Sequence, residues 1–171
     1  MLSSLKISHK LALMVIVAIL SFVISEAFTL MTERENSSRL GEVEQKLYPT
    51  LELSTVNLGQ LSLIELQINS AVATGDETQL EATQTDYATI QDNLEEIGRL
   101  NPAIRNKTDE LSKQVATYYD NATRIASSFI DGSADFSHIG DEASANAERL
   151  NALRTSMADM RSVTRNRFTD S

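Results

Sequence analysis

The stretch Ile104–Phe129, IRNKTDELSKQVATYYDNATRIASSF, places Ile104, Thr108, Leu111, Val115, Tyr118, Ala122, Ile125 and Phe129 at alternating steps of four and three residues. An α-helix turns once every 3.6 residues, so these positions share one face. A repeat of this kind keeps its seam against neighbours that run nearly parallel to it. The preceding segment repeats the pattern through Leu80, Thr83, Tyr87, Ile90, Leu94 and Ile97. The following one carries Phe136, Ile139, Ala143, Ala147, Leu150, Leu153, Met157 and Met160. Ahead of both, Leu40, Val43, Leu47, Leu51, Ser54, Leu58, Leu61, Glu65, Ile68 and Val72 mark one long helix. No segment alternates with period two for long, which excludes a sheet. Four seams with short connections predict an all-α fold, an antiparallel up-down-up-down four-helix bundle. Its helices are expected over about 33–73, 77–99, 102–130 and 137–171.

The turns agree with the seams. Gly75 suits the left-handed residue that closes the first helix, and Asp76 the cap of the second. Asn101-Pro102 reads as a cap followed by a first-turn proline opening the third helix. Asp131-Gly132-Ser133 ends that helix, and a looser stretch leads into the fourth.

Upstream of the seams, Leu11 to Ile24 reads LALMVIVAILSFVI, uncharged and apolar, behind Lys6 and Lys10. A bilayer-crossing helix needs about 20 apolar residues, and counting on through Met31 supplies them. The same run fits a cleaved export signal, with Ser25-Glu26-Ala27 as the small-x-small cleavage site. Either reading leaves a cytoplasmic lead over residues 1–10 and puts everything beyond about residue 32 outside the cytoplasm. As an anchor, the run makes residues 11–31 a transmembrane helix continuous with the long first helix. Residues 32–171 then form one extracytoplasmic domain.

Composition narrows the function. A net charge of −9 argues against a nucleic-acid partner, because phosphate binding needs concentrated Lys and Arg. Without cysteine the chain has no disulfides and no thiolate chemistry, so packing alone must hold the domain together. No nucleotide-binding loop or Ser/His/Asp arrangement is present, and two histidines are too few for a histidine-based zinc or haem site. The expectation is a non-enzyme without cofactor or metal. A D-x-x-H-x-x-D spacing at Asp135, His138 and Asp141 is the one weak metal-like pattern.

Lengths add a second expectation. The exported part of the first helix spans roughly 60 Å and the second helix roughly 35 Å. Paired through Gly75, the second helix ends level with Pro49. A proline inside a helix removes one hydrogen bond and bends the axis, so any bend belongs there, between a bundle above and a stalk below. The fourth helix, run back the same way, brings Ser171 level with about residue 41, short of the membrane surface. That reading makes the chain part of a longer protein with a second span. The basic end of that helix, Arg154, Arg161, Arg165 and Arg167, is expected to face the stalk acids Glu33, Glu35, Glu42 and Glu44.

Leu5-Lys6-Ile7-Ser8-His9-Lys10-Leu11 ahead of an apolar run resembles the opening of bacterial methyl-accepting chemotaxis receptors. Tyr48-Pro49, the long helix into Ala73-Thr74-Gly75-Asp76, and Tyr118-Tyr119 in the third helix are similar to the four-helix-bundle sensor module of that family. Histidine kinases and diguanylate cyclases carry modules of similar appearance. The resemblance implies a homodimer in the bacterial inner membrane with a periplasmic sensor domain. It implies a small-molecule ligand or a periplasmic binding protein as partner, bound near the membrane-distal end. It also implies a small displacement of the last helix as the signal, and an uncleaved anchor set in membrane lipid. A secreted helical bundle freed by cleavage after Ala27 is the alternative.

Members that sense aspartate or serine hold the ligand's carboxylate with arginines on the distal half of the first helix, and this chain has none between Ser54 and Gly75. Three residues are therefore the candidate ligand-binding set. Arg124 on the third helix can grip a carboxylate with two donors. Glu65, like Thr83, falls on a seam position where a buried polar group needs a partner. Tyr118 can pack in the core while its hydroxyl reaches a polar neighbour. Tyr87 and Tyr119 share that capacity.

Overall fold

The computed structural model describes residues 21–26, 28, 29, 31–33, 37 and 40–169. Among them there is no strand; every regular element is helical. The chain divides at Glu42–Val43 into two units. The N-terminal unit is helical wherever it is described, and Phe22, Val23, Ile24, Phe28 and Met31 each leave more than half of their surface uncovered. Among the described residues no helix is long and apolar enough to cross a membrane. The expected lead over 1–10 and the apolar run through residue 20 lie outside the described residues.

The second unit opens with a π-helical turn, Val43–Leu47, and continues into α1 (Tyr48–Thr74). Then come α2 (Glu77–Leu100), a 3₁₀ turn (Pro102–Ile104), α3 (Arg105–Ile130) and α4 (Ile139–Thr169). α1 packs against α2 and α4, and α3 packs against the same two helices. Cross-links between α2 and α3 pair Thr83 with Tyr119 and Gln91 with Ser112, an order that requires the two to run in opposite directions. The core is contributed by all four: Leu61 and Ile64, Ile90 and Leu94, Leu111 and Val115, Leu153 and Met157 are each at most 2 % exposed. Burying a side chain of this size is worth about 1.5–3 kcal/mol, which is how a domain without disulfides holds its shape.

One expectation is refined and two are corrected. The first concerns Pro49. It sits in the opening turn of α1, and the interruption is the π turn just ahead of it. A continuous α-helix would set the proline ring against the carbonyl of Gln45 and leave that carbonyl without a donor. A π turn bonds at i−5 instead, so the proline begins a fresh α segment where its missing N–H is not needed.

The second concerns the seam of α1, which is buried along Leu47, Thr50, Ser54, Asn57, Leu61, Ile64, Ile68 and Ala71. Every second position differs by one from the apolar choice made on the sequence. Leu51, Leu58, Glu65 and Val72 sit at the edge, while Thr50, Asn57, Ile64 and Ala71 face inward. α1 is apolar on several faces, so residue type alone did not separate the inward face from its neighbour.

The third concerns the start of the third helix. Asn101 makes no side-chain cap bond, and the 3₁₀ turn closes through Ile104 N–H donating to the Asn101 carbonyl (3.0 Å). The α-helix proper begins at Arg105.

The other turn expectations hold. Gly75 takes φ 70° and its N–H donates to the Ala71 carbonyl, the left-handed ending that glycine adopts without a Cβ penalty. The Asp76 carboxylate accepts from the Thr78 N–H (3.0 Å) and the Thr78 hydroxyl (2.6 Å), and these bonds hold its carboxyl below the usual value. At Gly98, α2 lies tight against the start of α3. A Cβ there would meet the Thr108 hydroxyl at 2.7 Å.

Candidate functional site

Between Leu53 and Gly75, α1 carries a single charge, Glu65. At a half-buried position on a helix packed against two others, a carboxylate needs a partner. α4 supplies it: the Arg154 guanidinium donates from Nη2 to Glu65 Oε2 at 2.5 Å. The basic end of the last helix thus does not face the stalk acids throughout, since Arg154 turns to the bundle.

Above this pair, towards the Gly75 turn, α1, α3 and α4 do not close on one another. A cleft of about 330 Å³ lies between them, at the lower end of the range for small-molecule pockets. The cause is residue size. α3 presents Ala122 and Ala126 to the cleft, and α4 presents Ala143 and Ala147, where a leucine in each place would fill the gap. Apolar walls come from Ile68 and Val72 of α1 and from Ile125 and Phe129 of α3. At its edge Phe129 meets Phe136 of the following loop edge-to-face, centroids 6.0 Å apart.

Few polar groups reach into this space. Glu65 and Tyr118 both line it. Burial, reinforced by the Glu65 carboxylate and opposed by Arg154, pushes the Tyr118 hydroxyl up to about 12, so it stays protonated at any physiological pH. Asn69 of α1 and Asn146 of α4 complete the polar lining, and only 5 % of Asn146 is exposed. Its Nδ2 donates to the Tyr118 backbone carbonyl (3.3 Å), while its Oδ1 has no protein partner. An unmet buried acceptor costs about 1–3 kcal/mol, and a donor in the cleft would remove that cost once the side chain turned Oδ1 towards it.

The structure therefore brings two of the three candidate residues together, Glu65 and Tyr118. Arg124 is elsewhere, on the surface, donating to Glu142 at 2.9 Å. Thr83 is buried on α2 and shares its hydroxyl with that of Tyr119 (2.9 Å). Tyr119 stacks on Tyr87 at 4.3 Å. Asp135 and His138 meet at 3.0 Å in the loop before α4, and among the described residues no three acidic or imidazole donors gather as a metal site would need.

Asn146 is the residue that sequence reasoning missed. Its signal was present: the buried positions of α4 run Asn146, Leu150, Leu153, Met157, Met160, Thr164 in strict steps of four and three. Assigning Ala147 to the seam in its place requires two successive steps of three. The alternation should have outweighed the side chain's polarity. No family model matches the chain, and neither a curated protein nor a solved structure matches it.

Proposed function

We propose that this chain is the extracytoplasmic ligand-sensing part of a transmembrane receptor of the chemoreceptor kind. In this reading the second unit is an antiparallel up-down-up-down four-helix bundle whose first helix continues a membrane-spanning helix over residues 11–31. The observation that carries it is the cleft between α1, α3 and α4 with an unmet acceptor on α4, the last helix. A ligand shifts a conformational equilibrium only through contacts that differ between the two states. One that bonds Asn146 acts directly on the last helix, so binding and displacement of α4 are one event. The uncovered Phe22, Val23, Ile24, Phe28 and Met31 of the N-terminal unit suit a lipid surround.

A homodimer completes the reading. On the outer side of α1, Val56, Leu63 and Leu66 are exposed, and no charge interrupts that side between Leu53 and Gly75 apart from the half-buried Glu65. A helix apolar on this many sides is normally covered, and a second copy of α1 is the partner of matching chemistry. A Leu66→Glu variant should then sediment as a monomer where the parent sediments as a dimer.

The reading is tested at three points. A reporter phosphatase that needs disulfides to fold, fused after Ser171, should be active, because only the extracytoplasmic side oxidises its thiols. An inactive fusion contradicts the topology. Mass spectrometry of the mature protein should find residue 1 intact; a chain starting at Phe28 would make the bundle a secreted protein. Reading the gene past residue 171 separates output classes: a second apolar span and a methyl-accepting coiled coil are expected, and a kinase or cyclase domain would make this the input module of a signalling enzyme.

A further inference from the structure

We propose that the cleft between α1, α3 and α4 takes a small organic cation, a primary ammonium carried on a compact apolar body. This rests on reading the cleft as a ligand site and goes on to name the ligand's chemistry. Glu65 is the one charged side chain in the lining, and no lysine, arginine or histidine joins it. In the lining itself a carboxylate ligand would find no counter-charge: Arg154, behind Glu65, is committed to that carboxylate, and Arg124 is engaged with Glu142. Asn146 of the lining carries an unmet acceptor, Oδ1, enclosed just behind the cleft wall, where a turn of the side chain would present it to a ligand. It calls for an N–H or O–H donor, which an ionised carboxylate lacks and an ammonium has three times over.

The rest of the lining is consistent with that head group and limits the body. Arg154 engages Glu65 through one carboxylate oxygen, Oε2, so the carboxylate can serve a second cation as well. Phe129 offers an aromatic ring at the cleft's edge, held by its edge-to-face contact with Phe136, and cations are attracted to such faces. Alanines and branched aliphatic side chains make up most of the walls. They favour a short alkyl or single-ring body over a polar one.

Titration calorimetry on the full chain in detergent tests this with three probes of one shape: phenethylammonium, 2-phenylethanol and phenylacetate. The ammonium should bind about tenfold or more tighter than either of the others. Asn146→Ala should weaken it by about tenfold, and Glu65→Gln should remove its advantage over the alcohol. Ala147→Leu, a change at an exposed position that fills the cleft from α4, should abolish binding while the circular dichroism melt stays cooperative. Alcohol binding equal to ammonium, or phenylacetate binding as tightly, overturns the cation assignment; the ligand site survives that result if Asn146→Ala and Ala147→Leu still weaken whichever probe binds. If no probe binds, and no metabolite in a wider thermal-shift screen gives a shift sensitive to Ala147→Leu, the site and the cation assignment fall together.

Discussion

From Tyr48 to Asn57, α1 buries Thr50, Ser54 and Asn57 completely; from Leu61 to Ala71 its inward face is Leu61, Ile64, Ile68 and Ala71. The polar half is closed and the apolar half is the one that opens into a cleft. Polarity along α1 therefore does not decide where the bundle is hollow. Side-chain volume on the facing helices does, since the cleft lies where α3 and α4 offer alanines. The polar half has a different effect, on alignment. Ser54 donates to the Thr50 carbonyl (2.6 Å) and Asn93 of α2 donates to Asn57 Oδ1 (2.8 Å). A slip of α2 along α1 by one turn would leave the buried Asn57 and the half-buried Asn93 without that bond. Buried polar pairs are costly to mismatch, so they favour one register.

The contrast can be broken by four changes, in falling order of effect. Ile97→Ala, at a fully buried position of α2 level with the polar half, should cost about 2–5 kcal/mol in a denaturant or thermal melt, because the cavity it leaves cannot fill. Ile68→Ala, beside the cleft, should cost clearly less, since the space it leaves joins one already open. Equal losses would mean that the two halves are packed alike. Gly98→Ala should cost about 1–3 kcal/mol, because the new methyl drives into the Thr108 hydroxyl and two helices must separate. Thr50→Val should be neutral or stabilise by about 1 kcal/mol, since the Thr50 hydroxyl is buried without a partner and the replacement keeps its shape.

A fifth change, of pH, has no effect near neutrality. Tyr118 has its hydroxyl raised from 10.0 to about 12 in the folded chain. A raised value means the folded state holds its proton more tightly than the unfolded one. The corresponding stability is complete below pH 10 and is lost as pH rises towards 12. Melts between those values should fall more steeply for the parent than for Tyr118→Phe. Parallel curves would place the Tyr118 hydroxyl in water.

The four α-helices of the second unit, and the ends at Gly75, Asp76 and Asp131, were legible because periodicity and turn chemistry are local. Gly75, Asp76 and the seams of α2 and α3 are read from neighbours within a few residues, and Leu80, Thr83, Ile90, Leu94 and Ile97 are all buried as expected. What failed was the choice between adjacent faces. Thr50 over Leu51, Asn57 over Leu58 and Asn146 over Ala147 are decided by which helix stands opposite, a property of the assembled bundle. The π turn was likewise hidden, because Pro49 announces that the ladder must change without saying on which side. The candidate site was half legible. Glu65 and Tyr118 stood out as polar groups on seams, whereas the cleft itself depends on four alanines from two helices that no local pattern connects.

The chain contains no cysteine, which permits one direct measurement of the central claim, that this cleft is a binding site. A single thiol placed by Ala147→Cys lies in the cleft, and one placed by Thr155→Cys lies on an exposed position of the same helix. The rate of thiol labelling is then followed with and without saturating phenethylammonium, or whichever ligand the screen identifies. The account predicts that ligand slows labelling at position 147 by about tenfold and leaves position 155 unchanged. Equal rates at position 147 with and without a ligand that demonstrably binds would place the binding site elsewhere.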